Sequence, residues 1–144
     1  MGEHISATLR KVVVERAEYL CEYCLIADAD TFLGCEVDHI ISLKHGGSTE
    51  TNNLAYACAY CNRYKGSDIA SLTKSGELIR LYNPRTDRWK DHFWLETYQI
   101  LPVSQIGEVT IKVLRLNRPE RILEREALHT AGRFPSEAAR KLMI

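Results

Sequence analysis

Four of the five cysteines stand in two pairs of identical spacing, Cys21-x-x-Cys24 and Cys58-x-x-Cys61. Two intervening residues let both sulfurs of one tight turn meet the same metal, and two such turns complete a tetrahedral thiolate site suited to zinc. Four thiolates leave no open coordination position, so this ion would staple the fold and not catalyse. A redox dithiol needs only one such pair, and two matched pairs disfavour it. Cys35 is left over and reads as a small buried hydrophobe. Asp38-His39 and Asn53 lie between the pairs, and Asn62, Arg63 and Lys65 follow directly after the second. Taken singly, Asn53 could cap a turn, Asp38 could cap a loop, His39 could be a half-buried histidine and Lys65 a solvated helix residue. The zinc staple changes this, because it draws the strand after the first turn beside the helix that starts at the second. Asp38, His39 and Asn62 then come close together.

The elements that must position these groups follow from periodicity and caps. Ser6 precedes Leu9, Val12, Val13, Ala17 and Leu20, a helical spacing with Ser6 as N-cap. Glu36–Ile41 is short and β-branched and reads as a strand, with Leu54–Ala57 as its antiparallel partner. The polar stretch Ser42–Asn53, with Gly46-Gly47, is the loop between them. Cys58 to about Ile69 reads as a helix. Further strands are expected at Leu78–Tyr82 and 92–96, with Asn83-Pro84-Arg85 as a turn. A helix is expected over Ser104–Leu116, another from Pro119 to about Thr130, and a short turn capped by Ser136. Neighbouring residues on a regular strand face opposite sides, so the strand must end, bulge or twist near Asp38-His39 for both to serve one site.

The combined string Cys21-Glu22-Tyr23-Cys24, Val37-Asp38-His39-Ile40-Ile41, Gly46-Gly47, Asn52-Asn53-Leu54 and Cys58-x-x-Cys61-Asn62-x-x-Lys65-Gly66 resembles the zinc-stapled HNH endonucleases. Tyr82-Asn83-Pro84-Arg85-x-Asp87-x-Trp89-x-Asp91-His92-Phe93, then Ile106-Gly107 and Leu116-Asn117-Arg118, look like the extension carried by a bacterial subset. The resemblance implies an α+β protein with a ββα-metal (His-Me finger) core over residues 6–70, an N-terminal helix, and a mixed C-terminal extension over 71–144, the whole forming one domain. It implies a metal-dependent DNA endonuclease or nickase. In that scheme His39 is the general base, Asn53 fixes the loop behind it, and Asp38 and Asn62 hold a catalytic cation. Arg63 and Lys65 would contact DNA. The third motif position is often histidine and here is Asn62, which shifts the metal preference. The alternative is a zinc-stapled nucleic-acid-binding module without catalysis.

The chemistry of these residue types agrees with the implied roles. Oxygen ligands from a carboxylate and an amide favour Mg²⁺ or Mn²⁺ over zinc at the catalytic position. One hard cation can stabilise the charge that develops on a phosphodiester and its leaving oxygen. A histidine of ordinary pKa, ~6.5, is neutral at pH 7 and can accept a proton from water, a role that contributes ~10²–10⁴-fold.

The chain of 144 residues carries 19 Lys+Arg and 19 Asp+Glu, which excludes a strongly basic, purely electrostatic DNA binder. The balance is uneven: residues 1–72 hold 6 basic and 10 acidic side chains, residues 73–144 hold 13 and 9. An acidic, metal-holding half thus precedes a basic half better suited to phosphate. Arg115, Arg118 and Arg125 would form one phosphate-facing stripe if the region were a continuous helix, with a solvated face beside Glu120 and Glu124 as the other reading. His92 reads as part of an aromatic cluster and His45 as an exposed loop residue. No apolar run is long enough to span a membrane and no apolar signal core is present, so a cytoplasmic protein is expected. Met1-Gly2-Glu3-His4-Ile5-Ser6 fits the loose myristoylation pattern, which is weak beside the capping role of Ser6. A protein partner or a homodimer stays open.

Overall fold

The computed structural model describes residues 4–144, so Gly2 of the myristoylation pattern lies outside the described residues. The first helix, α1 (Ala7–Arg16), starts at Ser6, whose hydroxyl accepts the Leu9 N–H at 3.1 Å. It ends where Glu18 and Tyr19 adopt left-handed backbone conformations (φ 52° and 61°), which turn the chain into the first cysteine knuckle.

Two strands follow, β1 (Cys35–His39) and β2 (Leu54–Cys58), paired antiparallel from Cys35 opposite Cys58 to His39 opposite Leu54. Side chains alternate across this sheet. Leu54 and Tyr56 pack with Val13 and Ala17 of α1, while Ala55 and Ala57 belong to the cluster around the four cysteines. The helix α2 (Ala59–Lys65) starts at Cys58 and stops at Gly66, whose φ of 51° ends it four residues short of the sequence expectation. The chain beyond instead forms β3 (Ala70–Leu72), paired with β4 (Leu78–Arg80). Neither β3 nor β6 below has a pattern that the sequence reading recognised, since three- and four-residue strands are too short to show alternation.

The remaining elements are the hairpin β5 (Phe93–Glu96) and β6 (Gln99–Pro102), then α3 (Gln105–Leu114), α4 (Pro119–Thr130) and α5 (Glu137–Met143). Ser104 and Ser136 cap α3 and α5 through their side chains, and Pro119 occupies the first turn of α4, as the sequence predicts. Among the described residues the architecture is thus α+β, with three two-stranded sheets and five helices. No described helix is long and apolar enough to cross a membrane.

Residues on both sides of position 70 share one buried cluster, from Leu20 and Tyr23 through Trp89 and Phe93 to Phe134 and Ala139. The Tyr82–Phe93 segment joins it to the first knuckle by specific bonds. The Trp89 indole N–H donates to the Tyr23 carbonyl at 2.9 Å. Glu22 accepts the Tyr56 backbone N–H at 2.8 Å and is ion-paired with Arg85. His92 packs edge-on against Tyr82 and Phe93, with Nδ1 2.7 Å from the Ser104 hydroxyl, so the aromatic-cluster reading describes it.

Candidate metal centre and candidate active site

The two knuckles bring Cys21, Cys24, Cys58 and Cys61 together with all four sulfurs within 4.8 Å of one another, and all four residues are buried. The Cys24 and Cys58 sulfurs are 3.8 Å apart. A tetrahedron with metal–sulfur bonds of about 2.3 Å has edges of about 3.8 Å. Backbone N–H groups of Cys24 and Cys61 point at the Cys21 and Cys58 sulfurs, 3.5 Å each, as expected for thiolate-holding turns. All five cysteines are unbridged, so the four can hold a structural metal such as zinc.

One partner of this centre escaped sequence reasoning. Arg121 of α4 is 3% exposed and directs its guanidinium at the sulfurs, Nη2 to Cys24 at 2.9 Å and Nη1 to Cys58 at 3.5 Å. It also stacks 5.0 Å from the Tyr60 ring centroid. Burial alone would lower its pKa, but the adjoining thiolates outweigh burial and hold it fully charged. Four thiolates holding Zn²⁺ would carry a net charge of −2, and the buried guanidinium would offset half of it. The signal was absent from the sequence because 97 residues separate Arg121 from Cys24.

The second group of residues sits at the loop end of the β1–β2 hairpin, where His39 pairs with Leu54. β1 stops at His39, and the strand keeps its alternation up to that point. Asp38 shares a face with Ala55 and the cysteine cluster, while His39 shares a face with Leu54 and the α1 side. The Asp38 carboxylate meets α2, where Lys65 Nζ lies 3.1 Å from Oδ2. The His39 ring meets the loop, with Nε2 2.9 Å from the Thr49 hydroxyl.

That loop is fixed by Asn53. Its Oδ1 accepts the Ile41 N–H at 2.9 Å, and its Nδ2 donates to the carbonyls of Ile41 and Ser48, both at 2.8 Å. One amide thereby closes the loop at both ends and replaces three backbone partners. Gly46 and Gly47 make the closure sterically feasible. Gly46 has a φ of 89°, and a Cβ on Gly47 would stand 1.8 Å from the Ile41 carbonyl oxygen.

Lys65 departs from its expected role. It is 2% exposed, and its ammonium donates to Asp38 Oδ2, to the His39 carbonyl at 3.0 Å and to the Gly66 carbonyl at 3.3 Å. Three donors meet three protein acceptors, so this lysine is not presented to a phosphate. Burial pushes the Asp38 carboxyl above the ordinary range, and Lys65 pulls it back. The ion pair engages Oδ2 and leaves Oδ1 outside it. Asn62 lies one turn before Lys65 on α2 and is half-buried, whereas Arg63 is exposed.

The arginine stripe is also not as expected. α3 ends at Leu114 and α4 starts at Pro119, so no continuous helix aligns the three side chains. Arg125 is fully buried, donating to the carbonyls of Tyr98 and Leu116 and to Asn117 Oδ1. Arg115 and Arg118 instead gather on the Tyr64 ring of α2. His45 is exposed in the loop.

Two matched cysteine knuckles flank a hairpin that ends in Asp38-His39 and runs into a helix bearing Asn62. Residues 21–68 match the HNH endonuclease family. The HNH segment begins at the first zinc-knuckle cysteine and ends just beyond α2, so it takes in every candidate residue from Asp38 to Lys65. It leaves out α1, Arg121 and the C-terminal elements that complete the buried cluster. No curated protein and no solved structure was found to match the chain.

Proposed function

We propose that this protein is a metal-dependent DNA endonuclease or nickase of the HNH type, with residues 71–144 completing one domain around the HNH segment. The observation that carries the reading is the placement of Asp38 and His39 at the very end of β1, Asp38 against the helix that bears Asn62 and His39 against the loop that Asn53 clamps.

Asp38 and Asn62 would hold the catalytic cation, Mg²⁺ or Mn²⁺, through oxygen atoms, and Asp38 Oδ1 lies outside the Lys65 pair. When bound, that ion supplies charge stabilisation for the phosphodiester and its departing oxygen. His39 accepts a proton from the attacking water at one ring nitrogen while Thr49 engages the other, Nε2. In the tautomer whose Nε2–H donates to Thr49, Nδ1 carries the basic lone pair. Asn53 acts as a positioning residue, since it closes the loop that carries Thr49. Lys65 acts the same way on Asp38, and ties the end of β1 to the C-terminal turn of α2.

The alternative, a non-catalytic nucleic-acid-binding module, is favoured by one observation. Lys65 already supplies a cation to Asp38, and a pure binder would need no other. A plasmid-nicking assay with Mg²⁺ or Mn²⁺ separates the two. Cleavage by the wild type and its loss in His39→Ala, with folding and DNA binding intact, supports the enzyme. Equal, background-level cleavage by both proteins with either metal supports the binder.

A further inference from the structure

Helix α2 buries Cys61 and Lys65, exposes Arg63 on the side away from them, and leaves Asn62 and Tyr64 half-buried at the margins of that outward face. The outward face does not stand alone. The turn between α3 and α4 lays two arginines on the Tyr64 ring. The Arg115 guanidinium carbon is 4.8 Å from the ring centroid and that of Arg118 is 5.5 Å away. Arg118 also donates to the Tyr64 hydroxyl and pairs with the exposed Glu120 at 3.0 Å. Arg63 and Arg115 are exposed, and neither enters an ion pair among the described residues. Two arginines therefore share the Tyr64 ring beside the Glu120 carboxylate, and the exposed Arg63 precedes Tyr64 on the same helix.

Two features set this patch apart from ordinary solvated arginines. The turn is rigid, because the Asn117 side chain bonds both the N–H and the carbonyl of Ile100, at 2.9 and 2.7 Å. Arg115 itself has a left-handed backbone (φ 52°, ψ 47°) at the end of α3, a position that favours glycine. A long, charged side chain thus stands where the backbone favours none. A guanidinium lying on an aromatic ring can keep its N–H edge for planar, bidentate contact with phosphate, as Arg115 does here, whereas Arg118 would reach a phosphate in place of the exposed Glu120.

We infer that Arg115 and Arg118, together with Arg63, form a phosphate-binding surface for duplex DNA that continues outward from the Asn62 side of α2. The inference rests on the nuclease reading for the identity of the partner. It assigns the C-terminal half a share in substrate binding, through the turn that delivers two of the three cations. Each neutralised phosphate contributes about 0.9 to the slope of log affinity against log salt.

The test uses the full-length His39→Ala protein, so that DNA stays intact, and a fluorescein-labelled duplex followed by anisotropy across a salt series. Arg115→Gln/Arg118→Gln is expected to bind at least about tenfold more weakly at low salt and to lose about 2 from the salt slope. Arg115→Gly provides the control for folding. Glycine suits the left-handed position, so its melting temperature should hold or rise while DNA affinity falls by several-fold. If both variants keep the parent affinity and slope, or the double variant loses only melting temperature, the arginines are packing residues and the inference is overturned. The two readings fail separately. A wild type that binds duplex through these arginines but never nicks a plasmid overturns the nuclease alone, and a nicking enzyme indifferent to them overturns this surface alone.

Discussion

Arg121 Nη2 donates to the Cys24 sulfur at 2.9 Å, although the two residues belong to opposite ends of the chain. The contact makes α4 part of the metal centre: a guanidinium that is nearly solvent-free faces two of four clustered sulfurs. It ties a centre built from the first 61 residues to Arg121 of α4, 60 positions beyond Cys61.

Arg121→Met should therefore weaken zinc retention without touching a ligand. Partners that bond to metal ligands typically change affinity by 10–100-fold. Competition with a chromophoric chelator should show faster or more complete zinc release from the variant than from wild type. Identical release would mean that the guanidinium does not support the site.

Cys58→Ser attacks the ligand set itself and should be more severe. Structural zinc binding is folding free energy, with apparent values of about 10–16 kcal/mol in small zinc domains. Zinc content near zero and loss of the cooperative thermal transition are expected, because Cys58 both starts α2 and ends β2. A melting temperature equal to wild type would contradict the staple.

Lys65→Met should lower stability, not merely DNA affinity. Removing one partner of a buried pair strands the other charge, at a cost of about 3–5 kcal/mol when burial is complete. Asp38 keeps some solvent contact, so about 2–3 kcal/mol is expected in urea denaturation. If stability is unchanged and only DNA binding falls, Lys65 is a phosphate contact after all.

Asn53→Ala should loosen the loop behind His39. Three hydrogen bonds at 2.8–2.9 Å disappear, two of them to carbonyls. A loss of about 1–3 kcal/mol is expected, with faster amide exchange at Ile41. Cleavage should fall through kcat more than through KM. A variant with normal exchange at Ile41 would show that the clamp is redundant.

Asp87 gives the expected acid dependence. Its carboxylate receives both Arg80 nitrogens, at 2.7 and 2.9 Å, and the Asn83 N–H at 2.9 Å, and the Arg80 bonds hold its pKa below the usual carboxylate range. A carboxyl whose folded pKa is depressed contributes fully above its unfolded pKa and loses that contribution as pH falls through the folded value. Asp87→Asn should thus be less stable than wild type at pH 7, by about 1 kcal/mol, since Arg80 is half-exposed. The two melting curves should converge as pH falls below the ordinary carboxylate range. A constant difference across that range would remove Asp87 as its source.

The sequence by itself determined the parts whose signals are local. Two CxxC spacings defined the metal ligands, because a knuckle needs only its own turn. Ser6, Ser104, Ser136 and Pro119 marked four helix starts, because caps act over three or four residues. The string from Asp38 to Asn62 indicated the HNH segment, since a hairpin and its following helix are adjacent in the chain. Tertiary structure alone decided the fate of the cations. Lys65, Arg121 and Arg125 have the composition of surface residues, yet each is buried against acceptors that lie nearby only after folding: Asp38 and the His39 carbonyl, the Cys24 and Cys58 sulfurs, and the Tyr98 carbonyl. Arg115 and Arg118 reached one tyrosine ring because the break between α3 and α4 turns both toward α2. A charged side chain can be buried only where the fold supplies its partners, and partners that are tens of residues away leave no periodic trace in sequence.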